Sequence, residues 1–356
     1  MVLNLKALVL SGGKGTRLRP LTFTLAKQLI PLANKPVLGY VLDQVAEIGI
    51  TQVGIIIAPE TGQYVKEYVK EGKEWGFSLA YIPQKPLGLA HAVKTANSFL
   101  QKDHFIMCLG DNLQGRGLTT YVQKFKKEKM DALILLKEVE DPTKFGVAIL
   151  DEKANIIELV EKPKKPKSNL AIVGTYIFSN NIFNAIDQIK PSARGELEIT
   201  DAIQEMINMG FKVKAETLNT WWLDTGKKDD ILVANAKVLD EYTKQQINGT
   251  IQESKIEGRV TIQETAKIVN STLKGPCIIG ENCTIKNSFI GPYTSIGNGT
   301  KIVDSTIGYS VIMENAQING INRLEESLIG KNAKVTKNHR TNCLKLHIGD
   351  YSEVET

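Results

Sequence analysis

Apolar and polar positions follow two different periods along this chain. In the first half, short apolar runs end at Gly, Ser or Asp. Lys6–Leu10 runs into Ser11-Gly12-Gly13, which predicts a buried strand entering a loop. Pro36–Gly49 has apolar residues at Val37, Tyr40, Val41, Val45 and Ile48, a helical spacing with Gly49 as its stop. Val53–Ala58 then predicts a strand, Gln63–Gly72 a helix, Leu79–Ile82 a strand, Leu89–Leu100 a helix and Phe105–Leu109 a strand. Such alternation builds a mainly parallel α/β sheet with helices on both faces. Ligands of these sheets sit beyond the carboxyl ends of the strands. Ser11 and Asp111 each follow such an end, so both loops are expected on one edge.

The last hundred residues change period. An acid or Asn followed by Ser-x-Ile/Leu recurs at Glu253–Ile256, Asn270–Leu273, Asn287–Ile290 and Asp304–Ile307, 17 residues apart each time. A fifth copy, Glu326–Ile329, comes after 22, so about five extra residues are expected to loop out. Within a step the apolar residues fall 6, 6 and 5 apart, as in Ile256, Ile262, Ile268 and Leu273. A six-residue period with three faces per coil is the mark of a hexapeptide parallel β-helix. An antiparallel sheet rich in Ile is the other reading, and four copies in step count against it. A linker helix is expected at Lys227–Gln246. The halves are expected to be separable by a cut near Thr250.

A length of 356 residues allows two domains or three. Apolar residues make up 42% and charged residues 23%, so the chain is neither disordered nor collagenous. No apolar run exceeds five (Phe105–Leu109, Ala132–Leu136), far short of a membrane span. No export signal is visible at the start, which leaves the cytoplasm as the default compartment. The charge balance is 44 − 39 = +5. The basic stretch Lys162–Lys167 has no aromatic platforms beside it, so no nucleic-acid partner is expected. Cys108, Cys277, Cys283 and Cys343 share no C-x-x-C spacing, and His91, His104, His339 and His347 form no ligand cluster.

Three places carry candidate chemistry. The loop Leu10-Ser11-Gly12-Gly13-Lys14-Gly15-Thr16-Arg17-Leu18 is neither a Walker loop nor a dinucleotide fingerprint. Its glycines let backbone N–H groups approach a phosphate, and Arg17 and Lys27 add cations. With both cations present, a polyphosphate site is favoured over a mere tight turn. Asp111, in Leu109-Gly110-Asp111-Asn112, and Asp224, in Trp221–Gly226, each read singly as turn or cap aspartates. Together with a phosphate loop they suggest Mg²⁺ ligands, because Mg²⁺ favours hard oxygens and substrate phosphates. Glu161 could accept from sugar hydroxyls, and Lys162 and Arg194 could hold a smaller phosphate. Surface ion pairs are the alternative for that cluster.

Gly12–Leu18, Lys27–Leu29, Pro86–Ala90, Leu109–Asn112, Phe145–Val147, Glu161–Pro163, Ala193–Asp201 and Trp222–Gly226 occur in order. In them the chain resembles the sugar-1-phosphate nucleotidylyltransferases, from residue 1 to about 235. The repeats, from 251 to about 337, match the long form of that family. The resemblance implies a Rossmann-like (GT-A-like) α/β domain with a mixed, mainly parallel sheet over 1–235. A linker at 236–250, a left-handed parallel β-helix of hexapeptide repeats at 251–345 and a tail at 346–356 would follow. It implies Mg²⁺-dependent transfer of a nucleotidyl group from dTTP or UTP to glucose 1-phosphate, with no nucleic acid or membrane partner, in a homo-oligomer.

The resemblance further implies that Leu10, Gly12, Gly13, Gly15, Thr16, Gln84, Gly88 and Asp111 bind the nucleotide. Gln84 and Gly88 would read the base. Arg17 and Lys27 would be catalytic, and Asp111 and Asp224 the metal ligands. Gly146, Glu161, Lys162, Tyr176 and Arg194 would bind the sugar phosphate. Phe145 and Ala26 stand where short forms carry Tyr and Ser. The alternatives are another hexose 1-phosphate, a β-helix that transfers acetyl groups, or a non-catalytic regulatory subunit. The repeats carry no histidine to serve as an acetyl-transfer base, and a regulatory subunit would have lost the charged residues present here.

Overall fold

The computed structural model describes residues 5–13, 15–337 and 351–355. Lys14, His339, Cys343, His347 and the expected end of the β-helix near 345 lie outside them. By contact the chain groups into two compact units.

The first unit comprises residues up to 14, 26–29 and 38–224. Its strands are β1 (Leu5–Ser11), β2 (Gln52–Ile57), β3 (Ser78–Pro83), β4 (His104–Leu109), β5 (Asn112–Gln114) and β6 (Ala132–Glu138), followed by β7 (Gly146–Leu150), β8 (Ile156–Glu161), β9 (Leu170–Phe178), β10 (Val213–Thr217) and β11 (Trp222–Asp224). The main sheet runs β8-β7-β9-β4-β1-β2-β3, with β6 joining β9 to β10. The β4-β1-β2-β3 part is parallel, as the alternation predicts. β9 lies antiparallel between β4 and β6, which makes the sheet mixed. Strands buried on both faces read as continuous apolar runs; Ala7, Leu8 and Val9 of β1 are fully buried. The core under the sheet gathers Phe105, Phe178, Ile134 and Ile203.

Leu10 pairs with Leu109, and the Gly110 N–H donates to the Leu10 carbonyl at 2.9 Å. The ends of β1 and β4 therefore share one edge, as expected. The first predicted helix forms at Val37–Glu47, and Gly49 beyond it takes φ 83°, a left-handed value that glycine adopts without strain. The expected helix Leu89–Leu100 is instead two, Leu89–Thr95 and Asn97–Leu100. Between them, Ala96 has ψ 3°, outside the helical range.

The second unit comprises residues 15–25, 30–37 and 225 onward. A helix at Lys228–Tyr242 packs against the small hairpin of Pro31–Leu32 and Lys35–Pro36 and against the coil. Fully buried Asn235 ties these together. Its Oδ1 accepts from the Ala33 N–H at 2.9 Å and the Ser295 hydroxyl at 3.0 Å; its Nδ2 donates to the Tyr293 carbonyl at 3.1 Å.

Three sheets of short parallel strands form the left-handed β-helix. Ile251, Ile268, Ile285, Ile302 and Ile318 stack in one of them, and the interior is an Ile-rich core. Asn270, Asn287 and Asp304 turn a corner at φ 44°, 49° and 49°. Asn and Asp tolerate that left-handed conformation best among non-glycine residues. The serines after them form a ladder: each Oγ accepts from the next coil's N–H, as Ser271 does from Ser288 at 3.0 Å.

The fifth copy corrects the sequence reading. Leu328–Ile329 pairs with Val311–Ile312, a different face from the other four copies. The Ser327 N–H donates to Ser310 Oγ, 17 residues back, rather than to Ser305. Ser305 instead meets the Ile321 N–H, 16 residues on. No five-residue loop is extruded; the coil continues, and the 22-residue interval combines a step along the coil with a change of face.

Candidate active site

Ser11, the last residue of β1, is fully buried, and Gly12 and Gly13 follow it. A Cβ on Gly13 would lie 2.7 Å from Lys27 Cε, so glycine there leaves room for the lysine stem. Buried Gln28 sits against Gly13 and Gly110. The Ser11 hydroxyl and Gln28 Oε1 are buried without a hydrogen-bond partner. An unpaired buried polar atom costs about 1–3 kcal/mol, and a polar ligand over the strand ends would relieve it. Leu10, Gly12, Gly13 and Lys27 belong to the first unit. Gly15, Thr16 and Arg17 belong to the second. There Gly15 takes φ 61° ahead of the turn Thr16–Leu18, its carbonyl accepts from the Thr22 hydroxyl at 2.7 Å, and Arg17 is exposed.

The structure brings the two aspartates close. Asp111 follows β4, and β5 pairs antiparallel with β11 so that Asp224 faces Asn112. Trp222 Nε1 donates to Asn112 Oδ1 at 2.8 Å, and Asn112 Nδ2 reaches Asp111 Oδ1 at 3.3 Å. The Lys27 ammonium donates to Asp111 Oδ2. Burial pushes the Asp111 carboxyl up, but Lys27 and the hydrogen bonds outweigh it and hold the group below its ordinary value. It is thus an ionised oxygen donor. No group of three His, Cys, Asp or Glu converges among the described residues. The register of β5 with β11 brings the backbone of Asp224 beside that of Asp111–Asn112, and hard carboxylate oxygens with substrate phosphates completing the shell suit a hard divalent cation.

Gln84 follows β3 and is buried; its Nε2 lies 3.3 Å from the Gly88 carbonyl and 3.0 Å from His91 Nδ1. Gly88 has φ 107°, and a Cβ there would lie 2.3 Å from the Leu197 carbonyl oxygen. The Ala90 N–H donates to Leu197 O at 3.1 Å and the Leu197 N–H to Leu87 O at 2.9 Å. Glycine at 88 therefore lets the loop after β3 lace to the loop that carries Arg194.

Glu161 on β8 faces Gly146 on β7. A Cβ on Gly146 would crowd Thr200 Cγ2 at 2.8 Å and Glu161 Oε2 at 3.1 Å. Thr200 donates to Glu161 Oε2 at 3.3 Å. Glu161 Oε1 lies 3.5 Å from Lys162 Nζ and 3.9 Å from Arg194. Arg194 also pairs with Glu196 at 2.6 Å and Glu198 at 3.2 Å. The ion pairs of the alternative reading are thus formed, with Lys162 on Glu161 and Arg194 closest to Glu196 and Glu198. Burial, with Glu161 nearby as a lesser cause, raises the Tyr176 phenol well above its ordinary value. Phe145 packs edge-on to Trp222, with centroids 5.1 Å apart, which connects this cluster to the aspartate strands.

Ser11, Gln28, His91, Asn112, Trp222, Glu198 and Thr200 had no role in the sequence reading. All but His91 stand inside the quoted motifs or the Gly-rich loop, which was the signal available. His91 had none.

An α/β sheet with a Gly-rich loop and Asp111 at the ends of two adjacent parallel strands, and with Asp224 on the neighbouring β5–β11 pair, has the features of a nucleotide-handling enzyme. The Nucleotidyl transferase family profile matches residues 6–241, and the chain belongs to that family. Its members generally use a divalent metal. The chain is 45% identical over 355 residues to the glucose-1-phosphate thymidylyltransferase of Streptomyces antibioticus, covering 99% of each. It is 43% identical over 263 residues to the low-salt glycan biosynthesis nucleotidyltransferase Agl11 of Haloferax volcanii, covering 74% of each. A Bacillus anthracis protein solved with sucrose, assigned as a glucose-1-phosphate thymidylyltransferase, superposes with a TM-score of 0.62 at 35% identity. That match covers 65% of this chain and 94% of the other. No described helix is long and apolar enough to cross a membrane.

Proposed function

We propose that this enzyme transfers a thymidylyl group from dTTP to glucose 1-phosphate, giving dTDP-glucose and pyrophosphate; UTP is the alternative donor. The observation that carries the reading is 45% identity to a glucose-1-phosphate thymidylyltransferase along 99% of the chain, coil included. The sugar phosphate is already a nucleophile, so its oxygen can attack the α-phosphorus in line without a general base. The chain's task is then positioning and charge neutralisation. Gly12, Gly13, Gly15 and Thr16 cradle the phosphates, with Leu10 and Asp111 bordering the nucleotide. Gln84 and Gly88 read the base. Arg17 stabilises the departing pyrophosphate and Lys27 the phosphates near the reacting centre. Gly146, Glu161 and Tyr176 hold the sugar, and Lys162 and Arg194 its phosphate. Asp111 and Asp224 would hold Mg²⁺, which supplies positive charge to the triphosphate. The coil serves assembly into a homo-oligomer: its outer sheets are flat surfaces for further copies.

The test is a panel of initial rates with dTTP, UTP and the other common dNTPs at fixed glucose 1-phosphate and Mg²⁺, read as pyrophosphate released. dTTP is expected to lead. Asp224→Asn should lower turnover at least about 10²-fold. No pyrophosphate from any nucleotide would overturn the assignment, and a normal rate in Asp224→Asn at low Mg²⁺ would remove Asp224 from the metal site.

A further inference from the structure

The side-chain amide of Gln84 is held in one orientation by the residues around it. A backbone carbonyl only accepts hydrogen bonds, so the Gln84 atom 3.3 Å from Gly88 O is its NH₂ group. The second hydrogen of that group meets His91 Nδ1 at 3.0 Å. Nδ1 is therefore the nitrogen with the lone pair, and the ring proton sits on Nε2. Thr95 does not take that lone pair. Its hydroxyl is 3.4 Å from Nδ1 but donates to the His91 carbonyl at 2.8 Å. Gln84 Oε1 is thereby turned the other way. It lies 3.7 Å from where a Cβ on Gly12 would stand, above the Gly-rich loop. Flipping the amide would set its oxygen against the Gly88 carbonyl and would require the His91 ring proton to move to Nδ1.

We infer that His91 is a positioning residue for nucleotide selection: it holds the Gln84 amide with its oxygen toward the base. The inference rests on the proposed role of Gln84 in reading the base. An amide oxygen accepts from the N3–H of thymine or uracil. It opposes the N3 lone pair of cytosine, which has no hydrogen there. Selection between pyrimidines thus depends on a ring that itself need not touch the nucleotide. Without His91, Gly88 O still favours the observed orientation, so discrimination should weaken rather than vanish.

The experiment compares kcat/KM for dTTP and dCTP in the wild type, His91→Leu and His91→Asn. Leucine removes the acceptor. Asparagine restores one, because its Oδ1, like Nδ1, is bonded to Cγ. His91→Leu should lower the dTTP:dCTP ratio about tenfold, the scale of one hydrogen bond's net worth, chiefly through a higher KM for dTTP. His91→Asn should stay within about threefold of the wild type. A residue that only supports the fold would lower both nucleotides alike. An unchanged ratio in His91→Leu overturns the inference alone, as does an equal fall in both variants. A wild type that uses no pyrimidine nucleotide overturns the proposed function, and the inference with it.

Discussion

At the scale of single residues, the pair of Lys27 and Asp111 governs both charge and stability at the candidate centre. The Asp111 carboxyl is buried, and the lysine is what holds it ionised. A carboxyl whose folded pKa is lowered contributes stability above its unfolded value of about 3.9, and that stability is lost as pH falls through the folded value. Lys27→Met removes the cation and leaves the burial. The metal-free variant should be about 3–5 kcal/mol less stable than the wild type at neutral pH. The deficit should shrink below pH ~4, where Asp111 is protonated in the unfolded chain and becomes so in the folded one. Urea unfolding at the two pH values measures it; a deficit of the same size at both would show that the lysine acts through packing and not through charge.

At the scale of elements, the site depends on loops being laced together. Gly88 shows this most plainly, because the Leu197 carbonyl occupies the space its side chain would need. Gly88→Ala should push the two loops apart and lower kcat/KM about 10²-fold, the cost of displacing groups by roughly 1 Å. Gly117 is the control. It has φ 125° but open space around its Cβ position, so Gly117→Ala carries backbone strain of about 1–3 kcal/mol without displacing a loop. Steady-state kinetics beside thermal melts separate the two. If both variants lose stability and neither loses activity, the lacing has no bearing on catalysis. The strand pairing of β5 with β11 belongs to this scale too. It sets Asp224 opposite Asn112 across a sequence separation of 112.

At the scale of the whole molecule, the coil bears on the N-terminal segments it gathers. Asn34 Nδ2 donates to the Ile296 carbonyl at 2.7 Å, and buried Asn235 joins Ala33 to Tyr293 and Ser295. The sequence leads one to expect that a cut near Thr250 leaves a folded catalytic part of changed oligomeric size, yet the cut would strip Asn235 of two partners, leaving its Oδ1 on Ala33 and its Nδ2 without the Tyr293 carbonyl. The chain ending at Thr250 should therefore melt lower and yield less soluble protein than the full chain. In the full chain, Asn235→Ala should cost about 2–4 kcal/mol by removing a buried amide that makes three hydrogen bonds. A shortened chain with the melting temperature of the full one would restore the view of the coil as a detachable appendage.

The sequence by itself determined what depends on local period and local chemistry. Alternating runs specified β1, β2 and β4, because a strand buried on both faces must be apolar throughout. The 17-residue step specified the coil, because each turn must present Ile inward at the same points. The Gly-rich loop and both aspartates were legible as candidates from residue type alone. Only the tertiary structure decided what depends on distant segments meeting. It placed the fifth repeat on another face, since a serine accepts from whichever backbone N–H the coil brings above it. It set Lys27 on Asp111, 84 residues away. It also gave His91 a role, because the partner of a hydrogen bond is chosen by position in space, which periodicity along the chain does not encode.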